Sequence, residues 1–215
     1  MLIVWGRNSS YNVQKVRWLM GELALPYQHI SVGGAFGGLD HADFIAMNPH
    51  ARIPVLSDNG TIIWESHAIL RYLAATYAQE TFWFDDVKVR GKIDPWMDWA
   101  QTSFQPDFLT GVFWGFYRTP DAQKNWPQIH QSLVCCNKHF HILEQQLKDH
   151  DFLCTDQLSL ADITVGTGLY RYFELDIERP HLPRVNAWYQ RLQERPAYRE
   201  HVMIPFHEMK GRLEY

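Results

Sequence analysis

Three short runs hold the side chains and backbone groups with the clearest chemical use in this 215-residue chain: Asn48-Pro49-His50-Ala51-Arg52-Ile53-Pro54, Asp58-Asn59-Gly60 and Trp64-Glu65-Ser66. A proline that opens a strand cannot donate to the ladder, so it belongs at an edge or a bulge. X-Pro is also the bond at which a cis peptide costs little. A cis Ile53–Pro54 bond would turn the Ile53 backbone outward, able to pair with an extended, peptide-like ligand. Glu65 and Ser66 open a helical pattern. They place a carboxylate, a hydroxyl and the unpaired N–H groups of a helix start at one point, which suits a ligand carrying both an ammonium and a carboxylate. The combination predicts a site for a small zwitterionic peptide.

The elements that must position these groups follow from the apolar spacing. Leu2 to Trp5 reads as a strand, and Asn12 to Ala24 as a helix with Val13, Val16, Met20 and Leu23 on one face. Leu25-Pro26 ends that helix. Tyr27 to Val32 alternates as a second strand, Gly33 to Gly38 is a flexible loop, and His41 to Met47 is a short helix. Val55-Leu56 and Thr61 to Trp64 are strands joined by Asp58-Asn59-Gly60, where Asn-Gly signals a tight hairpin. Ser66 to Tyr77 is a helix carrying Ile69, Leu70 and Leu73. The order β-α-β-α-β-β-α predicts one mixed sheet with helices on its faces.

Strand patterns stop after Thr81, and Phe82 to Asp86 reads as a linker. Val87 to about Thr110 is a long aromatic helix. Asp121 to His150 is a second helical stretch, broken near Trp126-Pro127. Ser159 and Asp162 can cap one another's backbone at a helix start, with Leu158 and Ile163 as the hydrophobic staple. Leu182 to Arg195 opens near Pro183 and is stopped by Pro196. The expected fold class is α/β in residues 1–81 and all-α in residues 87–205, with a tail over 206–215.

Bulk properties narrow the function. A net charge of -4 with no long basic run speaks against a nucleic-acid partner. No apolar run approaches the ~20 residues of a membrane span, so no membrane partner is expected. The opening Met1 to Trp5 reads as a strand rather than a signal peptide. Three cysteines, two of them adjacent at Cys135-Cys136, imply no disulfide framework and a reducing, cytoplasmic setting. Cys135-Cys136 reads as a buried pair rather than a redox motif. His139 and His141 do not share a helix face, and no metal-ligand spacing joins the eleven histidines. The Gly33 to Gly38 loop lacks the Lys-Ser/Thr of a phosphate loop, and no Gly-x-Ser-x-Gly elbow is present.

Taken in order, these features resemble the cytosolic glutathione transferases. The matching residues are the opening strand, the serine-containing loop before the first helix, Arg52-Ile53-Pro54, the Asp-Asn-Gly turn, Glu65-Ser66 and the Ser159–Asp162 box. The run Trp5-Gly6-Arg7-Asn8-Ser9-Ser10-Tyr11-Asn12-Val13 is similar to bacterial, serine-using, theta- or beta-like members. The resemblance implies a thioredoxin-like first domain, a helical second domain, a homodimer, a role in detoxification and glutathione as cosubstrate, with no metal.

It also implies roles. Ser10 stands where serine-using members place the hydroxyl that activates the glutathione sulfur, with Ser9 and Asn12 as the alternatives. On pattern alone all three are loop and cap residues. A free thiol titrates near ~8.5. Lowering that by about two units takes about 2.7 kcal/mol, within reach of a charge-assisted hydrogen bond of ~1.5–3 kcal/mol. Tyr11 lies in the loop, away from the strand end used by tyrosine-type members. Glu65 and Ser66 are expected at the γ-glutamyl end, the Ile53 backbone at the cysteinyl unit with Pro54 holding the turn, and His50 and Arg52 near the glycyl carboxylate. The electrophile is expected against Phe113, Trp114 and Tyr117, with Arg118 either attracting an anionic electrophile or forming a surface salt bridge. Most of the aromatics Trp96, Trp99, Phe104 and Phe108 read as core or dimer contact.

The expected function is conjugation of the glutathione thiolate to a small electrophile. Alternatives on the same site are a glutathione-dependent disulfide or peroxide reductase, or an isomerase. A non-catalytic scaffold of this fold is the alternative of another class, disfavoured by the intact Arg52-Ile53-Pro54 and Glu65-Ser66 set.

Overall fold

The computed structural model describes residues 1–78 and 81–214; Gln79, Glu80 and Tyr215, which fall in the expected first domain and tail, lie outside the described residues. The chain forms two compact units. The first is Met1–Trp83 together with Ala197–Ile204, and the second is Phe84–Pro196 together with Pro205–Leu213.

In the first unit the strands β1 (Leu2–Trp5), β2 (Tyr27–Ile30), β3 (Val55–Asp58) and β4 (Thr61–Trp64) form one sheet in the order β2-β1-β3-β4. β2 runs parallel to β1, while the β1–β3 and β3–β4 pairs are antiparallel. Asn59 and Gly60 both take positive φ, 47° and 93°, the backbone a tight two-residue hairpin requires. Asp58 accepts from the Tyr72 hydroxyl at 2.8 Å and the Tyr77 hydroxyl at 2.5 Å. Those bonds, led by Tyr77, hold its carboxyl below the usual carboxylate range.

Helix α1 (Tyr11–Glu22) starts one residue before the expected Asn12 and stops before Ala24, whose φ of 49° breaks the helical path. Leu25 N–H then closes the end on Met20 O at 3.0 Å. The helix buries more than the predicted face: Trp18, Leu19, Gln14 and Lys15 are buried beside Val13, Val16 and Met20. The reason is a second helical neighbour. α1 packs on α3 (Ser66–Tyr77), and also against α9 (Pro196–His201), where Trp18 and Tyr198 meet edge to face at 4.7 Å. A Cβ on Gly21 would come within 2.9 Å of Ala197 Cβ, so a glycine permits this approach. Between β2 and β3 lie a 3-10 turn over Gly34–Phe36, inside the segment expected to be plain loop, and α2 (Ala42–Met47).

The second unit is helical: α4 (Val87–Trp99), α5 (Trp126–Gln146), α6 (Leu160–Gly166), α7 (Leu169–Glu174) and α8 (Pro183–Glu194). The expected single helix from Val87 to Thr110 is not one regular α-helix. After Trp99 the coil widens to π-helical turns over Ala100–Phe104 and Pro106–Arg118, ending with Thr119 N–H on Trp114 O at 2.9 Å. Trp126-Pro127 is a helix start and not a break in one. Asn125 accepts from Gln128 N–H at 3.2 Å, and a proline in the first turn sacrifices no bond. Pro196 likewise stops α8 and opens α9.

The Ser159–Asp162 box is present. Asp162 accepts from Ser159 N–H at 2.9 Å, Ser159 Oγ at 2.7 Å and Leu153 N–H at 2.8 Å. Leu158 and Ile163 are both buried. Glu144 of α5 performs a similar service for α8, accepting from the N–H groups of Arg184 and Val185, each at 3.0 Å. Cys136 and Cys154 are buried, whereas Cys135 is half-buried, a partial departure from the expected buried pair.

Candidate functional site

Strand register gathers the predicted groups of the first unit. Trp5, the last residue of β1, pairs with Val55, the first of β3, and Val55 pairs with Trp64, the last of β4. Trp5 also pairs with Ile30, the last of β2. The segments that leave or enter at this end of the sheet are therefore Gly6 to Ser10, Asn48 to Pro54, and Glu65-Ser66. Residues that are scattered over sixty positions emerge side by side.

Gly6 lets them come close. Its φ is 145°, and a Cβ there would lie 2.4 Å from Val13 Cγ2 and 3.2 Å from Ile53 Cβ. Only a bare backbone fits between the start of α1 and the Ile53 turn. His29 Nε2 donates to Gly6 O at 2.6 Å, and burial lowers the imidazole's pKa.

Ser10 is the N-cap residue of α1 and is buried, yet its hydroxyl makes no capping bond. Its backbone N–H is held by Arg7 O at 3.0 Å. The first turn, Tyr11-Asn12-Val13-Gln14, contains no acid, so the positive end of the helix dipole is not neutralised there. Ser9 is half-buried. The side-chain oxygen of Asn12 accepts from Lys15 Nζ at 3.0 Å.

The Ile53–Pro54 bond is cis. Pro54 is buried, and Ile53 precedes the paired register, which begins at Val55. The turn before it is set by Asn48, a buried residue that carries no assigned role in the sequence reading. Asn48 Nδ2 donates to Arg52 O at 2.8 Å, and its Oδ1 accepts from His50 N–H at 3.1 Å. An amide that holds two backbone groups of one short loop is the recognisable signal, with partners only two and four residues away in sequence. His50 and Arg52 are exposed, with His50 edge-on to Trp64 at 5.2 Å.

Glu65 is exposed and holds φ 69°, at the N-cap of α3. Left-handed backbone in a non-glycine residue is uncommon and tends to be kept where geometry serves a site. Ser66, the first helical residue, is buried. Behind these two, His67 Nε2 lies 3.1 Å from the buried Lys15 Nζ, and joins the start of α3 to α1.

The predicted electrophile wall belongs to the second unit and divides. Trp114 and Tyr117 are half-buried. Phe113 is buried, stacked on Tyr117 at 5.5 Å and edge-on to Phe206 at 5.2 Å. Arg118 is not the surface cation that a surface salt bridge would require. It is buried, lies 3.9 Å over the Trp114 ring, and donates to Arg212 O at 3.0 Å and Leu213 O at 3.2 Å. Its guanidinium thus organises the chain's final turn. Phe104 and Phe108 are fully buried, while Trp96 and Trp99 are half-buried.

A thioredoxin-like sheet unit with a cis-proline turn, joined to an all-helical unit, is the architecture of the glutathione transferases. The sequence pattern of the glutathione S-transferase N-terminal domain matches residues 5–81, and that of the C-terminal domain matches residues 97–196. The chain belongs to the glutathione S-transferase family. It is 39% identical over 207 residues to glutathione S-transferase GstB of Escherichia coli K12, covering 95% of this chain and 99% of that protein. Among solved structures, a theta class glutathione S-transferase from Xanthomonas axonopodis pv. citri with glutathione bound superposes with a TM-score of 0.90 at 39% identity, over 95% of this chain and 98% of that one. Mouse glutathione S-transferase theta-1 is 30% identical over 162 residues, 70% of this chain and 65% of that protein.

Proposed function

We propose that this glutathione S-transferase binds glutathione across the end of its sheet where β1, β3 and β4 meet, activates the sulfur with Ser10, and transfers it to a small electrophile. The observation that carries the reading is the register Trp5–Val55–Trp64, which brings the starts of α1 and α3 and the Ile53-Pro54 turn to one place. Ser10 is favoured over its neighbours because its hydroxyl is not spent on capping, whereas the Asn12 oxygen is occupied by Lys15. In this reading the Ser10 hydroxyl donates to the thiolate, and the unneutralised N-terminus of α1 adds a favourable field. Binding supplies the proximity of the two reactants.

The remaining roles follow the shape of the cosubstrate. Ser66 and the first N–H groups of α3 receive the γ-glutamyl carboxylate, and Glu65 faces the ammonium. The Ile53 backbone pairs with the cysteinyl unit, Pro54 sets the turn, and His50 and Arg52 meet the glycyl carboxylate. For the electrophile, the second unit contributes Trp114 and Tyr117, with Phe113 and Arg118 beneath them as support. The reading extends to a homodimer, to residence in the cytoplasm and to removal of reactive electrophiles. Family membership supports the dimer, and half-exposed Ile62, Trp64 and Tyr77 on the first unit supply apolar surface for it.

Kinetics against a panel of aryl halides, epoxides and haloacids tests the reaction, and light scattering tests the dimer. Glutathione-dependent loss of electrophile with a one-to-one thioether product supports transfer. Consumption of two glutathione molecules per turnover with release of the disulfide would replace it by reduction.

A further inference from the structure

Lys15 is the least expected residue of the first unit: a lysine 1% exposed in the middle of a domain. Burial of an ammonium is costly unless its donors are satisfied. Here Nζ donates to Asn12 Oδ1 at 3.0 Å, meets His67 Nε2 at 3.1 Å, and lies 4.8 Å from the centre of the Tyr11 ring. His67 is itself 2% exposed. One amine therefore joins the second turn of α1, its first turn and the first turn of α3, directly behind the residues assigned to glutathione.

We propose that Lys15 is a positioning residue for the glutathione site, clamping the starts of α1 and α3 through Asn12 and His67 and gaining a proton when the anionic cosubstrate is seated between them. The inference rests on the glutathione reading above and deepens it. Burial brings the amine down to about 7, with the Glu65 carboxylate acting in the opposite direction. Glu65 at the cap of α3, His67 in its first turn and the Tyr11 ring on α1 all face it, and Arg71 follows one turn beyond His67. When charged, Lys15 has donors only, so His67 Nε2 accepts. When neutral, it keeps two N–H donors, so Nε2 accepts in this state too and His67 need not change tautomer. The hydrogen bond survives both states, and the proton added comes from solvent. A bound anion favours the charged state, so binding and protonation are linked.

The test uses S-methylglutathione, whose sulfur cannot ionise, titrated calorimetrically into the full chain near pH 7.5 in buffers of different ionisation heat. Uptake of roughly half a proton per site is expected for the unaltered chain. Lys15→Met should abolish the uptake and weaken binding about tenfold. Lys15→Arg, charged throughout, should restore most of the affinity without the uptake. Persistent uptake in Lys15→Arg overturns the assignment, even if Lys15→Met fails to fold. Equal affinity and equal uptake in Lys15→Met overturn it as well. No binding to the unaltered chain would overturn the glutathione reading itself, and this inference with it.

Discussion

Ser10 and Ser66 are both serines at the start of a twelve-residue helix, yet the proposed function gives them separable tasks. If Ser10 acts on the sulfur as proposed, Ser10→Ala should lower kcat/KM about 10- to 100-fold at pH 6.5, the equivalent of one charge-assisted bond. The loss should shrink as pH approaches that of the free thiol, and a pH–rate profile reads it. Ser66 is assigned to the γ-glutamyl carboxylate in the proposed reading. Ser66→Ala should weaken glutathione binding about tenfold, measured calorimetrically, while leaving the pKa of the bound thiol in place. The placing of both serines at helix starts is legible in the sequence because the signals are local. The sequence does not show Lys15, whose position on α1 reads as an ordinary polar face and whose partner His67 lies 52 residues away. It misplaces Arg118 for the same reason, since the carbonyls of Arg212 and Leu213 that hold it are more than ninety residues distant.

Elements announce themselves when their bonds close within a few residues. The Asn59-Gly60 hairpin and the Ser159–Asp162 box are both of this kind, and both are found where the residue types put them. Ser159→Ala removes the cap and should cost about 1–2 kcal/mol in urea unfolding, with little change in m. The π-helical turns from Ala100 to Arg118 carry no comparable signal, because a wider turn changes the bond from i+4 to i+5 without needing a different residue type. Helix α9 is not legible in the sequence because Pro196 reads as a stop. A proline at the first helical position is as good a start. Its docking onto α1 depends on Gly21, where a Cβ would lie 2.8 Å from His201 Cδ2. Gly21→Leu should therefore destabilise the chain by about 1–3 kcal/mol through overpacking, seen as a lower midpoint of denaturation.

At the scale of the whole molecule, two buried groups shape how stability responds to pH. Burial raises Asp162 from its ordinary 3.8 to about 6, despite the N–H groups that bond it. The folded carboxyl thus keeps its proton where the unfolded one has lost it. Its stabilising contribution is complete below about pH 4 and declines as pH rises through about 6. The penalty of Asp162→Asn, measured by urea unfolding, should accordingly be larger at pH 4 than at pH 7. Lys15 acts in the other window. Its folded pKa lies below the unfolded one, so the unfolded chain binds the extra proton between about 7 and 10.5, and stability gained from this group rises across that range. The arrangement of the site is also a whole-molecule property. Each motif is visible locally, but only the strand order β2-β1-β3-β4 brings the loop before α1, the Ile53-Pro54 turn and Glu65-Ser66 to one end of the sheet.

The most direct test of the account is the ultraviolet absorbance of the glutathione thiolate bound to the protein, titrated against pH in the unaltered chain and in Ser10→Ala. The account predicts a bound thiol pKa well below the ~8.5 of a free thiol, returning upward by one to two units in the variant. A bound thiol that titrates like the free one, or a depressed value that Ser10→Ala leaves untouched, would contradict it.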